Sequence, residues 1–201
     1  MSSNSSLILA LNDQHARVRE AAAVALGRLG NGESGTALTA HLTDPDESVR
    51  MASALALGEI EFSADREVQV LPVLRHPQGS ARTAATRALL SLDTVSLSTD
   101  LINALRDPDV RVRQGAAAAL GETGNPGGVP HLRSLLRTDG AASVRAEAAF
   151  RLGKIGENSV LAELSRAAEA DPDARVRRWA RWAVQQIRLS HESGSERQPG
   201  Q

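Results

Sequence analysis

Residues 44–60 read DPDESVRMASALALGEI, and this stretch decides the architecture. Pro45 disfavours helical geometry in the residue before it, so any earlier helix must stop here. Asp44 is placed to cap a new helix, Pro45 suits its first position, and Glu47 completes an Asp-x-x-Glu capping box. Counting from Val49, positions 0, +4, +8 and +11 fall within about 80° of one another at a helical 100° per residue, which is one apolar stripe. The stretch then returns along the chain. Its Asp position falls at Asp13, Asp44, His76, Asp107, Asp139 and Asp171, in steps of 31 or 32 residues. Five residues on stand Val18, Val49, Ala81, Val112, Val144 and Val176, each followed by an Arg: Arg19, Arg50, Arg82, Arg113, Arg145 and Arg177. A period near thirty marks a stacked repeat array rather than one closed core.

Each repeat reads as two helices, giving an all-α superhelical solenoid of six helix pairs. The repeats span about 5–30, 34–61, 66–93, 98–124, 126–156 and 158–188 within one solenoid over 1–188. The second helix is the clearer. Its +8 column is Leu26, Leu57, Leu89, Leu120, Leu152 and Val184, and its +11 column includes Leu29, Ile60, Ile155 and Ile187. These columns are expected to be core, each large aliphatic contributing roughly 1.5–3 kcal/mol on burial. Gly30, Gly124 and Gly156 follow as C-terminal caps. The first helices are shorter, carrying pairs such as Leu38/Leu42, Leu101/Leu105 and Leu132/Leu136, and Pro72 is expected to kink one of them. Residues 189–201 lack apolar periodicity and are expected to be a disordered polar tail.

Composition narrows the functions. The 201 residues contain no Cys, which excludes disulfides, thiolate metal sites and thiol catalysis. A net charge of −1 gives no global attraction to nucleic acid or membrane. The only apolar run near the start is Leu7–Leu11, and no stretch approaches the ~20 apolar residues of a membrane span. A cytoplasmic monomer is the expectation, with neither nucleic acid nor membrane as partner.

The motifs DPDxxVRxxAxALxLGxI of the second repeat and DPDVRVRxxAAAALG of the fourth resemble HEAT-like repeats of the phycobilisome-lyase type over roughly residues 5–188. The resemblance implies a right-handed α-α solenoid. It also implies a polar ladder in which the turn Asp residues (Asp13, Asp44, Asp107, Asp139, Asp171) meet the six Arg between neighbouring repeats. The third repeat departs from the pattern at His76, Ala81 and Leu90 and is expected to be a weak joint. The resemblance further raises a phycobilin lyase-type subunit, acting on phycobiliprotein chromophores, as the enzymatic alternative.

No chemistry-bearing constellation stands out. His15, His41, His76, His131 and His191 form no HxxxH pair and no zinc-like spacing. Deoxyhypusine hydroxylase, a HEAT-like di-iron enzyme, uses repeated His-Glu pairs, and the one such pair here is His191-Glu192. Gly121, Gly124, Gly127 and Gly128 precede no Lys-Ser/Thr and read as an inter-repeat turn rather than a phosphate loop. HEAT-like DNA glycosylases would need a basic groove that the overall charge balance does not provide. Neither a metal nor a cofactor is expected.

What remains is the variable face of the second helices, at +2, +3, +6 and +10 from the Val. The +6 column reads Val24, Leu55, Arg87, Ala118, Phe150 and Trp182. A purely solvated face would carry polar residues there. Candidate partner-binding residues are Val24, Met51, Leu55, Arg87, Phe150, Lys154, Arg178, Trp179 and Trp182. An apolar centre with a charged rim is the anatomy of a protein-binding surface. Two alternatives stay open for the last repeat: bulky Trp covering an uncapped end, and the basic run Arg175 to Arg181 docking an anionic surface. The expected function is non-catalytic, a scaffold or assembly factor that binds a protein partner in the groove.

Overall fold

The computed structural model describes residues 3–29, 32–60, 70–76, 78–90, 99–122, 124 and 126–195. Every regular element among them is helical, as the repeat pattern predicts. They are α1 (Ser3–Ala10), α2 (Ala16–Leu29), α3 (Gly32–Ala40), α4 (Glu47–Glu59), α5 (Gly79–Leu90), α6 (Thr99–Ala104), α7 (Val110–Glu122), α8 (Val129–Thr138), α9 (Ala142–Ile155), α10 (Leu161–Ala170) and α11 (Ala174–Ser195). Short 3-10 turns at His41–Thr43, Leu71–Arg75, Pro126–Gly128 and Asn158–Val160 extend or open the first helix of a pair. The turn Leu71–Arg75 carries Pro72 in its first two positions, where the missing N–H costs no intrahelical bond.

The chain forms two compact units, residues 1–104 and 105–201. In the first, α1 packs on α2, α2 on α4, and α4 on α5. In the second, α7 packs on α9 and α9 on α11, with α8 and α10 behind them. The second helices therefore lie side by side in each unit. The cores are the predicted stripes: Val49, Ala81, Val112, Val144 and Val176 are fully buried, as are Leu26, Leu89 and Leu152. Four predicted core residues are not buried: Ile155 and Val184 are half-buried, and Val18 is 40% and Leu29 64% exposed. Gly124 (φ 63°) and Gly156 (φ 81°) adopt the left-handed conformation of a helix C-cap, as predicted, while Gly30 lies outside the described residues.

The turns divide their work between two carboxylates, which corrects the predicted cap. Asp46, not Asp44, is the N-cap of α4 and accepts from the Ser48 N–H at 2.9 Å. Asp109 and Asp173 make the same bond to the N–H groups of Arg111 and Arg175. The earlier Asp is engaged elsewhere. Asp44 accepts from Arg19 Nε and Nη2 at 2.8 and 2.9 Å. Asp139 and Asp171 take the same paired bonds from Arg113 and Arg145. Each Arg also donates through Nη1 to the carbonyl six residues back, in all six repeats from Arg19–Asp13 to Arg177–Asp171. One guanidinium thus clamps its own turn and pulls in the next.

The pairing sets the charge state. At Asp44 and Asp139 burial pushes the pKa up, but the Arg hydrogen bonds and a backbone N–H outweigh it and hold both below the usual carboxylate range. At Asp171 the Arg145 bond is the largest influence and the direction is the same. The ladder is narrower than predicted. Asp13 instead accepts from the His15 N–H at 2.8 Å. At the third repeat His76 Nδ1 accepts from the Gln78 N–H at 3.2 Å, mimicking half of the Asp. The other half is missing: Arg50 is 5% exposed and its Nε has no hydrogen-bond partner.

Helix α11 runs on to Ser195, so residues 189–195, expected in a disordered tail, are helical. Nothing between Leu189 and Glu192 breaks a helix, and the first Gly beyond them is Gly194.

Candidate functional site

The four candidate residues of the first unit separate into two kinds. Arg87 Nη1 lies 2.8 Å from Met51 Sδ, so these two side chains from adjacent repeats meet. Val24 and Leu55 are 40% and 58% exposed on the same +6 column. They present apolar surface.

The five candidates of the second unit converge. Phe150 on α9 and Trp179 and Trp182 on α11 form one aromatic cluster. Phe150 stacks on Trp182 at 5.1 Å between centroids and meets Trp179 edge-on at 4.9 Å. The two Trp rings are 5.7 Å apart, also edge to face. Such offset and T-shaped pairs are the arrangements favoured by the ring quadrupoles. The cluster depends on Gly153: a Cβ there would lie 2.8 Å from Trp182 Cζ3 and 2.6 Å from Ala183 Cβ. Both Trp rings therefore lean back on α9. All three rings stay half-buried.

A cavity of about 320 Å³ opens beside them. Gln114, Ser143, Glu147, Phe150, Arg175 and Trp179 line it, from α7, α9 and α11. These residues occupy the −1, +2, +3 and +6 columns, so the cavity sits on the variable face. Ala118, also on +6, is buried and contributes no exposed surface.

Charge is arranged around the rings. Arg151, 8% exposed, donates from Nε to Glu147 Oε1 at 2.7 Å and from Nη1 to Glu122. Lys154 Nζ donates to Glu122 Oε1 at 3.1 Å. The Lys154 bond, then Arg151, hold the Glu122 carboxyl below its ordinary range despite partial burial. Arg151 also lies over the Phe150 ring, 5.2 Å from its centroid. Arg178 covers Trp179 in the same way at 5.9 Å. Sequence reasoning missed Arg151 and its two carboxylates. The signals were present: Glu147 stands four residues before Arg151, and Gly121 leaves the space its stem fills, since a Cβ there would come within 2.7 Å of Arg151 Cδ.

The helical-repeat architecture and the Asp–Arg turns define the class, an all-α repeat solenoid. The profile of the HEAT repeats family matches residues 4–90 and 98–185, and the chain belongs to that family. A deoxyhypusine hydroxylase from Eremothecium gossypii is 30% identical over 203 residues, covering 85% of this chain and 63% of that protein; the chain thus spans less than two thirds of its relative. Among solved structures, the complex of CpcE and CpcF of phycocyanin lyase from Nostoc sp. PCC7120 aligns over 90% of this chain and 75% of that one, at 22% identity and a TM-score of 0.64. A designed armadillo repeat protein in complex with the peptide (KR)4 aligns over 92% of this chain and all of that one, at 16% identity and a TM-score of 0.59. Among the described residues no group of three His, Cys, Asp or Glu side chains is placed to hold a metal ion, and no helix is long and apolar enough to cross a membrane.

Proposed function

We propose that this chain is a non-catalytic scaffold that holds a segment of a partner protein in the groove beside Phe150, Trp179 and Trp182. The observation that carries the reading is the coincidence of three features. The half-buried aromatic cluster, the cavity and the columns that vary between repeats all fall at one place on the second unit. Half-buried aromatics in a pocket, ringed by paired charges, are what binding hot spots are made of. Met51, Arg87, Val24 and Leu55 would extend contacts along the first unit as secondary sites. The reading takes the chain as a cytoplasmic monomer that works without a cofactor.

Selection of binders from a random peptide-display library tests it. Peptides enriched on the wild type should lose about 30-fold in affinity on Phe150→Ala, since truncating a central anchor costs roughly 2 kcal/mol or more. Far-UV circular dichroism should stay near native. Binding that is unchanged per folded molecule would overturn the reading. The alternative, a bilin lyase-type subunit, has a separate signature: mixing with free bilin should leave the visible spectrum flat, and a shifted absorbance band would favour the lyase reading instead.

A further inference from the structure

We infer that the segment held in this groove is acidic, with carboxylates flanking an aliphatic or aromatic side chain that enters the cavity beside Phe150 and Trp179. This rests on the binding role proposed above and adds the chemistry of the partner.

The groove's own anions are already engaged. Glu147 accepts from Arg151, and Glu122 accepts from both Arg151 and Lys154. The two acceptors that would greet a cationic partner are thus occupied by charges built into the fold. The cations at the mouth are less committed. Arg178 is exposed, and among the described residues it makes no ion pair; its guanidinium rests on the Trp179 face. Arg175 lines the cavity and pairs with Asp173, but its side chain is 63% exposed and its partner is an N-cap carboxylate. Exposed pairs of this kind are worth little and exchange readily. An Arg stacked on an aromatic face keeps its edge donors free, so it is pre-placed to grip a carboxylate with two parallel bonds. An incoming acidic group therefore meets donors without breaking the Arg151–Glu122–Lys154 network. A basic group must displace one of its members and face Arg178. The apolar requirement comes from the part of the cavity wall formed by Phe150, Trp179 and Ala146, which a buried aliphatic or aromatic side chain would cover.

The chain supplies its own reporter. It contains two Trp and no Tyr, and both Trp belong to the cluster, so intrinsic emission reads this site alone. Three six-residue peptides serve as probes: Asp-Glu-Leu-Phe-Glu-Asp, its Lys/Arg counterpart around the same Leu-Phe, and a Gln/Ser counterpart. The acidic peptide should give a saturable change in Trp emission, weakening several-fold between 50 and 300 mM salt. The basic one should give none. Arg178→Glu should lower the affinity for the acidic peptide at least tenfold with unchanged far-UV circular dichroism, while Arg178→Lys should restore most of it. Equal binding of acidic and neutral peptides would overturn the inference and leave the groove reading intact, as would tight binding of the basic peptide. Saturable binding of an oligothymidylate that depends on Arg178, without binding of the acidic peptide, would overturn both.

Discussion

Substituting His76→Asp should stabilise the first unit, and the structure allows the gain to be worked out. In the paired repeats the Arg reaches an Asp 25 or 26 residues further on. From Arg50 that position is His76. Arg50 is already buried at 5% exposure with Nε unsatisfied, so the desolvation of the guanidinium is present in the native protein and uncompensated. A carboxylate at this position would keep the bond from the Gln78 N–H, now made to His76 Nδ1. It would add up to two charge-assisted bonds from Arg50, each worth roughly 1.5–3 kcal/mol net where the acceptor is charged, reduced by the further cost of holding a new carboxylate in a half-buried turn. The net expectation is a gain of about 1–2 kcal/mol, or ~5–10 °C in Tm for a unit of this size. Urea denaturation of wild type and variant measures it, and hydrogen exchange over 78–90 should slow in step. The control is Arg50→Met, which removes the donor: in that background His76→Asp should gain nothing. A gain that persists without Arg50, or a loss of stability in the first comparison, would refute the ladder argument.

Three further outcomes follow from the same contacts. Asp139→Asn should cost about 1–3 kcal/mol at pH 7 by weakening the paired bonds from Arg113. Because the folded pKa of Asp139 is depressed, that contribution is complete above the unfolded value near 3.8 and is lost as pH falls through the lower folded value. The wild-type and Asn variant stabilities should therefore converge once the pH falls below the depressed folded pKa, and a gap that ignores pH would contradict the pairing. Gly153→Ala should destabilise the second unit by about 1–3 kcal/mol and shift Trp emission, since the new methyl would press on Trp182 and Ala183; unchanged emission would show that the cluster does not rest on this close approach. Trp182→Ala should leave α11 helical while abolishing the response of the remaining Trp179 to any groove ligand, as judged by fluorescence titration.

Much of the site was legible one residue at a time and illegible as a set. Phe150, Trp179 and Trp182 stand out because large aromatics interrupt columns of Ala and Leu, and Lys154 and Arg178 because they flank them. Nothing in the spacing says that Trp182 stacks on Phe150 while Trp179 meets it edge-on. That depends on how closely α11 approaches α9, which Gly153 permits. Arg151 was hidden for the same reason. Its partner Glu122 is 29 residues away and meets it only through the stacking of neighbouring repeats. The exposed Val18 and Leu29 fit the apolar columns as well as their buried counterparts, and local spacing does not say which parts of α2 its neighbours cover.

The amino-acid sequence by itself determined whatever rests on short-range geometry: the helices, their period of about thirty residues, the buried stripes and the glycine stops at Gly124 and Gly156. Each of these depends on a side chain's position relative to its own helix axis, and the 3.6-residue turn writes that into local spacing. Tertiary structure alone decided which of two nearby carboxylates caps a helix and which binds the Arg of another repeat. It also decided that Arg50 keeps a donor without a partner, that three separated aromatics form one cluster, and that two of them, Phe150 and Trp179, line a cavity. Those outcomes turn on distances between residues some twenty-five to thirty-two positions apart, which the packing of one helix on the next sets.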